Sequence, residues 1–181
     1  MSKNKILNIS NSLSFLRLIL TFPICWMLLH DDYVGFLILG IIAMLTDFLD
    51  GYTARKRDEI TEFGKIIDPL ADKVLIAAVA IVMLIKGLIP AWFLIAVLSR
   101  DVLILLGGLY LSKKLGYVIY SDIIGKISVN ILALVMICII FKVEFFTSYG
   151  IFLALGALIV SFGNYLVRMI VILRKSEVKN N

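Results

Sequence analysis

Apolar runs long enough to cross a bilayer recur from Leu13 to Leu173, and they leave this chain few ways to fold. In hydrocarbon every backbone N–H and C=O must find a partner within the protein, which confines a spanning segment to a helix or a closed barrel. The runs are continuous, not alternating, and only three prolines interrupt them, so helices are expected and a barrel is not. Of the 181 residues 61% are apolar, against about 45–50% in a soluble domain, and the mean hydropathy is +1.03. The expected fold class is an all-α integral membrane protein, one domain over residues 1–181 with no soluble appendage.

A crossing helix takes roughly 20 residues, with a range near 17–25. Six segments fit: 12–29, 33–54, 67–85, 89–111, 123–141 and 148–173. Orientation follows from the cations, which concentrate in cytoplasmic connections. Six crossings put Lys3, Lys5, Arg55, Lys56, Arg57, Lys65, Lys73, Lys113, Lys114, Lys126, Arg174, Lys175 and Lys179 on one side, and only Lys86 and Lys142 on the other. Arg17, Arg100 and Arg168 fall inside apolar segments near the cation-rich side. Both termini are therefore expected in the cytoplasm, with the protein in the cell inner membrane. The net charge of +5 is then mostly a property of that face and suits anionic headgroups and anionic substrates. A nucleic-acid partner has no basic soluble module to support it.

Lys3 and Lys5 before an apolar stretch resemble a leader, but Arg17 interrupts the stretch and no small-residue cleavage pattern follows, so the segment is expected to be retained. Residues 1–11 mix cations with apolar residues; a juxtamembrane amphipathic arm and a frayed basic tail fit them equally. Cys25 and Cys138 lie within apolar runs without a nearby His or Cys, which argues against a disulfide framework or a thiolate site. The one histidine, His30, stands beside Asp31 and Asp32 at the end of the first run. It reads as an interfacial residue, since a lone His cannot build a zinc site of the usual kind.

Against this background four aspartates stand out: Asp47 and Asp50, three apart, and Asp68 and Asp72, four apart. Carboxylates are costly in a membrane and their default reading there is functional. Spacings of three and four put each pair on one helical face. The connection between the pairs is short and charged, so the second and third helices are expected as antiparallel neighbours whose acids meet across a cleft at the cytoplasmic end. Four carboxylates in one cleft repel, and a bound divalent cation removes that repulsion. All-oxygen donors select Mg²⁺ or Mn²⁺, with Ca²⁺ a further option. Four aspartates suffice for two ions, which in two-metal sites sit about 3.5–4 Å apart and clamp a diphosphate. A carboxylate not saturated by metal serves as general base. Gly51 and Ala54 are small enough for a base or phosphate to approach the backbone, and Arg55 supplies a fixed cation. Gly64 allows close helix contact, and Pro69 is expected in the first turn of the third helix, where its missing N–H costs little.

Two blander readings compete. The aspartates pair with Arg55, Lys65 and Lys73 as interfacial salt bridges, or they line an ion path in a six-helix cation transporter. The first needs as many interleaved cations as acids, which are absent. The second expects acids near mid-membrane on broken helices, and gives Gly51, Ala54 and Arg55 no task.

The whole run, D-x-x-D-G-x-x-A-R-x8-G-x3-D-x3-D, resembles the signature of the CDP-alcohol phosphatidyltransferase family, with Asp47, Asp50, Gly51, Ala54, Arg55, Gly64, Asp68 and Asp72 at its fixed positions. The segment from Asn8 to Arg17 is similar to the family's I-P-N-x-L-T-x-x-R opening, with Ser10 in place of proline and Ser14 in place of threonine. The resemblance implies six helices, a cytoplasmic site and a homodimer. It implies that an alcohol hydroxyl attacks the β-phosphoryl of a CDP-linked lipid such as CDP-diacylglycerol, and that CMP leaves. Asp47, Asp50 and Asp68 would hold metal, Asp72 would share metal binding with the catalytic base role, and Gly51, Ala54 and Arg55 would line the CDP site.

Within the family, Asp68-Pro69-Leu70-Ala71-Asp72-Lys73 resembles the branch that uses glycerol 3-phosphate and its cardiolipin-forming relatives. Ile124-Gly125-Lys126-Ile127-Ser128 is similar to a G-K-x-[KT]-T segment of that branch, but Val129, Asn130 and Leu132 differ from the threonine and glutamine usual after it. Ser99-Arg100-Asp101 looks more like the eukaryotic-type cardiolipin synthases, whose acceptor is phosphatidylglycerol. Glycerol 3-phosphate is the favoured expectation. A phosphorylated acceptor needs cations, and Arg100, Lys126 and Arg168 are the candidates. Each also reads as a snorkelling side chain, and Arg100 as the partner of Asp101 or Asp122.

Overall fold

A computed structural model describes the backbone of residues 9–57, 64–115 and 123–180, and side chains over 14–46, 70–111, 113 and 123–174. Among these residues there are six α-helices and no strand: α1 (Ile9–Leu29), α2 (Tyr33–Arg57), α3 (Gly64–Ile85), α4 (Ala91–Leu115), α5 (Ile123–Ile140) and α6 (Ile151–Asn180). A π-helical turn, Phe146–Gly150, leads into α6. Three stretches among the described residues are long and apolar enough to cross a membrane: Ala91–Leu111, Ile123–Ile140 and Phe146–Arg174. Ser14–Leu29 and Tyr33–Thr46 are shorter apolar stretches of helix.

The helices outrun the apolar segments that announced them. α2 continues to Arg57, α4 to Leu115 and α6 to Asn180, through lysines and arginines that are good helix formers in water. Likewise α3 begins at Gly64, so Pro69 falls in its second turn and not, as expected, in its first. The amphipathic arm expected over residues 1–11 lies largely outside the described residues.

The chain divides into two compact units, Met1–Lys86 and Gly87–Asn181. In the first, α1 packs against both α2 and α3. Its buried residues Ser14, Arg17, Thr21, Ile24 and Leu28 recur at intervals of three and four and form one inward seam, polar at the N-terminal half and apolar beyond. Among the described residues α1 is thus the shared neighbour of α2 and α3; the direct α2–α3 pairing expected at the acid-bearing ends lies outside the described residues. In the second unit α6 plays that part, packing against α4 and α5. α4 approaches α6 closely at Gly107, where a Cβ would lie 2.6 Å from the Tyr165 hydroxyl. That hydroxyl donates to the Ile104 carbonyl at 3.1 Å.

Tight turns close the helices. Asp31, Gly87 and Lys142 have φ of 61°, 68° and 55°. After α1, Asp32 N–H bonds the Met27 carbonyl at 2.9 Å and Asp31 N–H the Leu28 carbonyl at 3.4 Å; after α5, Val143 N–H bonds Cys138 at 3.0 Å and Lys142 N–H bonds Ile139 at 2.9 Å. This is the left-handed helix stop that satisfies carbonyls left open at a C-terminus.

Candidate functional site

The first candidate group occupies the end of α2 and the start of α3. Asp47, Asp50, Gly51, Ala54 and Arg55 stand on the last turns of α2, and Asp68 and Asp72 on the first turns of α3. Unbroken helix through both segments keeps Asp47 with Asp50, and Asp68 with Asp72, on a common face. The side chains of Asp47, Asp50, Gly51, Ala54, Arg55 and Asp68 lie outside the described residues. Among the described residues no three His, Cys, Asp or Glu side chains gather to hold a metal.

Asp72 is described, and its partner was not foreseen. Arg17 Nη1 on α1 donates to Asp72 Oδ1 on α3, across 55 positions of sequence. The Arg17 side chain is 2% exposed and that of Asp72 48%. A guanidinium taken out of water costs several kcal/mol unless charge and hydrogen bonds compensate. Asp72 supplies that compensation while keeping half its own surface open. Next to it, Thr21 Oγ1 donates to the Arg17 carbonyl at 2.9 Å. The sequence did carry a signal for Arg17, a permanent cation inside an apolar run, which demands a partner. It did not say which acid.

Oxygen-only donors without His or Cys suit a hard divalent cation. Asp72 fits such a set, being an accessible carboxylate one turn from Asp68 on the same helix.

The second group belongs to the other unit. Arg100 on α4 reaches three elements. Its Nη1 meets Asp101 Oδ1 at 2.7 Å, and its Nη2 lies 2.5 Å from Ser161 Oγ on α6 and 3.5 Å from Ser128 Oγ on α5. Ser128 in turn donates to the Gly125 carbonyl at 2.8 Å. The Arg100 side chain is 10% exposed, and its buried Nε has no hydrogen-bond partner among the described residues. Of the two acids foreseen for Arg100, Asp101 is the partner found, and Asp122 lies outside the described residues. Lys126 is exposed on α5, and Arg168 is half-buried on α6. Ser161 and Tyr165, one turn apart, both face α4 and bond Arg100 and Ile104, which are also one turn apart.

Comparison with known proteins adds two findings. A family model described as CDP-alcohol phosphatidyltransferase matches residues 7–172, running through both units. The chain is also similar to proteins named CDP-diacylglycerol–glycerol-3-phosphate 3-phosphatidyltransferase. It is 37% identical over 110 residues to that of Aquifex aeolicus, covering 60% of this chain and 62% of the relative. It is 44% identical over 90 residues to that of Bacillus subtilis, covering 50% and 46%. It is 37% identical over 107 residues to that of Mycoplasma pneumoniae, covering 58% and 47%. The matched stretches thus span roughly half to three fifths of these relatives.

Proposed function

This chain belongs to the CDP-alcohol phosphatidyltransferase family, and on that premise we propose that it transfers a phosphatidyl group from CDP-diacylglycerol to glycerol 3-phosphate, giving phosphatidylglycerophosphate and CMP. The observation that carries the reading is the complete eight-residue signature from Asp47 to Asp72, borne on two helices. The names of the relatives supply the donor and the acceptor.

In this reading Asp47, Asp50, Asp68 and Asp72 would hold two Mg²⁺ or Mn²⁺ ions. The metal, when bound, neutralises the diphosphate and stabilises the departing CMP. Gly51 and Ala54 leave room for the cytidine and its phosphates along α2, and Arg55 adds a fixed positive charge. Asp72 takes the proton of the acceptor hydroxyl as its oxygen bonds the β-phosphorus. The bond from that phosphorus to the bridging oxygen breaks, and the electron pair leaves with CMP. Arg100, Lys126 and Arg168 bind the acceptor's phosphate. In this reading the site and both termini lie on the cytoplasmic side of the cell inner membrane, an orientation that the concentration of Lys and Arg on one side supports. The chain works as a single domain in a homodimer among membrane lipids.

A phosphatidylglycerol acceptor is the second reading, favoured by Ser99-Arg100-Asp101 and by the ion pair that engages Arg100 with Asp101. The test is CMP release by the purified protein with Mg²⁺, CDP-diacylglycerol and each acceptor separately. Release with glycerol 3-phosphate alone is expected. Release with phosphatidylglycerol alone moves the assignment to cardiolipin formation, and no release with any alcohol rejects the transferase and reopens a cation transporter.

A further inference from the structure

We propose that Arg17 is a positioning residue, which by holding one oxygen of Asp72 fixes that carboxylate's orientation. The inference rests on the role given above to Asp72. Three observations carry it. Arg17 is among the most buried side chains of the molecule, yet it ends on an acid that is half open. It lies on the one seam of α1 that faces inward, in a polar stretch shared with Ser14 and Thr21 and continued by Ile24 and Leu28. And α1 is the helix that packs against both acid-bearing helices.

A buried ion pair is weak evidence for stability, because the desolvation penalty consumes much of the attraction. An apolar residue at position 17 would fasten α1 to α3 at less cost. What a guanidinium does that an apolar side chain cannot is grip a carboxylate in a fixed plane, and it does so without itself accepting a proton. With Oδ1 bonded to Arg17, the plane of the Asp72 carboxylate is set from α1 as well as by its own helix. Its open surface is then turned toward whatever lies outside the helix pair. Asp72 is thereby held in one orientation while half its surface stays open.

The variants Arg17→Gln and Arg17→Lys, alone and with Asp72→Asn, test this by kinetics, Mn²⁺ binding and thermal unfolding in detergent. Arg17→Gln is expected to lower kcat about 10²-fold, as loss of correct placement does, with the KM for CDP-diacylglycerol within about threefold. Mn²⁺ affinity should hold or tighten, because removing a cation near the acids relieves repulsion. Arg17→Lys should recover part of kcat, keeping the charge but not the planar grip. The double variant should be no slower than Asp72→Asn alone. Lys86→Gln, which removes an ion pair elsewhere in the same unit, should lower Tm and leave kcat unchanged. The proposal is overturned if Arg17→Gln lowers Tm as Lys86→Gln does and keeps kcat within about threefold, or if kcat and Mn²⁺ affinity fall together. Where Arg17→Gln does not fold, Arg17→Lys alone decides, since a full wild-type kcat excludes the grip. A wild-type protein that releases no CMP rejects the transferase reading instead. In that event Arg17's hold on Asp72 is still read by whether Arg17→Lys and Asp72→Asn shift Tm and Mn²⁺ affinity non-additively; additive shifts overturn it.

Discussion

Arg17 and Arg100 are the same residue in similar surroundings, each a buried arginine on an apolar helix, and they are used differently. Arg100 meets its acid at the next position in sequence and adds hydroxyls from α5 and α6, so its partners gather around it inside one unit. Arg17 meets its acid 55 positions away, on another helix, and that acid is far more exposed than Asp101, at 48% against 22%. A cation whose acid is its own sequence neighbour and mostly covered is largely occupied with its own solvation. A cation whose acid opens outward changes what that acid can do. The contrast sets Arg17 beside the carboxylate proposed above as the base, and Arg100 among hydroxyls of its own unit.

The sharpest way to break this contrast is to neutralise the two acids in turn. Asp72→Asn should lower kcat for CMP release by about 10³-fold, within the range for loss of a general base. It should also destabilise the fold by about 2–3 kcal/mol, less than the 3–5 typical of a broken buried pair because Asp72 is half open to solvent. Asp101→Asn should cost about tenfold or less in kcat/KM, because Arg100 retains its serine partners. Equal losses from both would show that the two arginines do the same job.

A smaller effect separates the arginines by kinetic parameter. Arg100→Gln is expected to raise the KM for glycerol 3-phosphate about tenfold, the worth of one charge-assisted hydrogen bond, with the KM for CDP-diacylglycerol unchanged. Lys126→Ala should act in the same direction but only about threefold, because an exposed lysine meets a phosphate in high dielectric. A fall in kcat from Arg100→Gln, with the acceptor KM constant, would move Arg100 beside Arg17 and dissolve the distinction.

Sequence made the six helices legible because a bilayer crossing needs a run of apolar residues that nothing else in a chain requires. It did not mark their ends, since hydropathy reports where lipid stops and not where helical hydrogen bonding stops; hence α2 through Arg57 and α3 from Gly64. The acids were legible from their spacings, which need only local helix geometry. So was Asp101 as a partner of Arg100, because the two are adjacent. The Arg17–Asp72 pair was not, because it depends on which face of α1 turns inward and on the register of α1 against α3. Arg17 announced a need for an acid, and only packing selects Asp72.

The smallest effect comes from two charged residues that share a backbone problem and differ in their use, as the arginines do. Asp31 and Lys142 both end helices with positive φ, a conformation that costs a residue with a Cβ roughly 1 kcal/mol relative to glycine. Asp31 offsets that cost: its Oδ1 accepts from Lys86 Nζ and from the Tyr33 hydroxyl, each at 2.6 Å. Lys86 also donates to the Leu28 carbonyl at 2.8 Å and so closes the end of α1. Lys142 is exposed, and among the described residues no side-chain bond repays its geometry. Lys142→Gly should therefore stabilise by about 0.5–1 kcal/mol, raising Tm by roughly 1–4 °C in a chain of this size. Asp31→Gly should gain nothing or lose stability, since relief of the backbone is cancelled by the loss of both bonds to Oδ1. If both glycines stabilise equally, the Lys86–Asp31 pair contributes nothing at that turn, and a charge placed on a strained backbone there has no structural use.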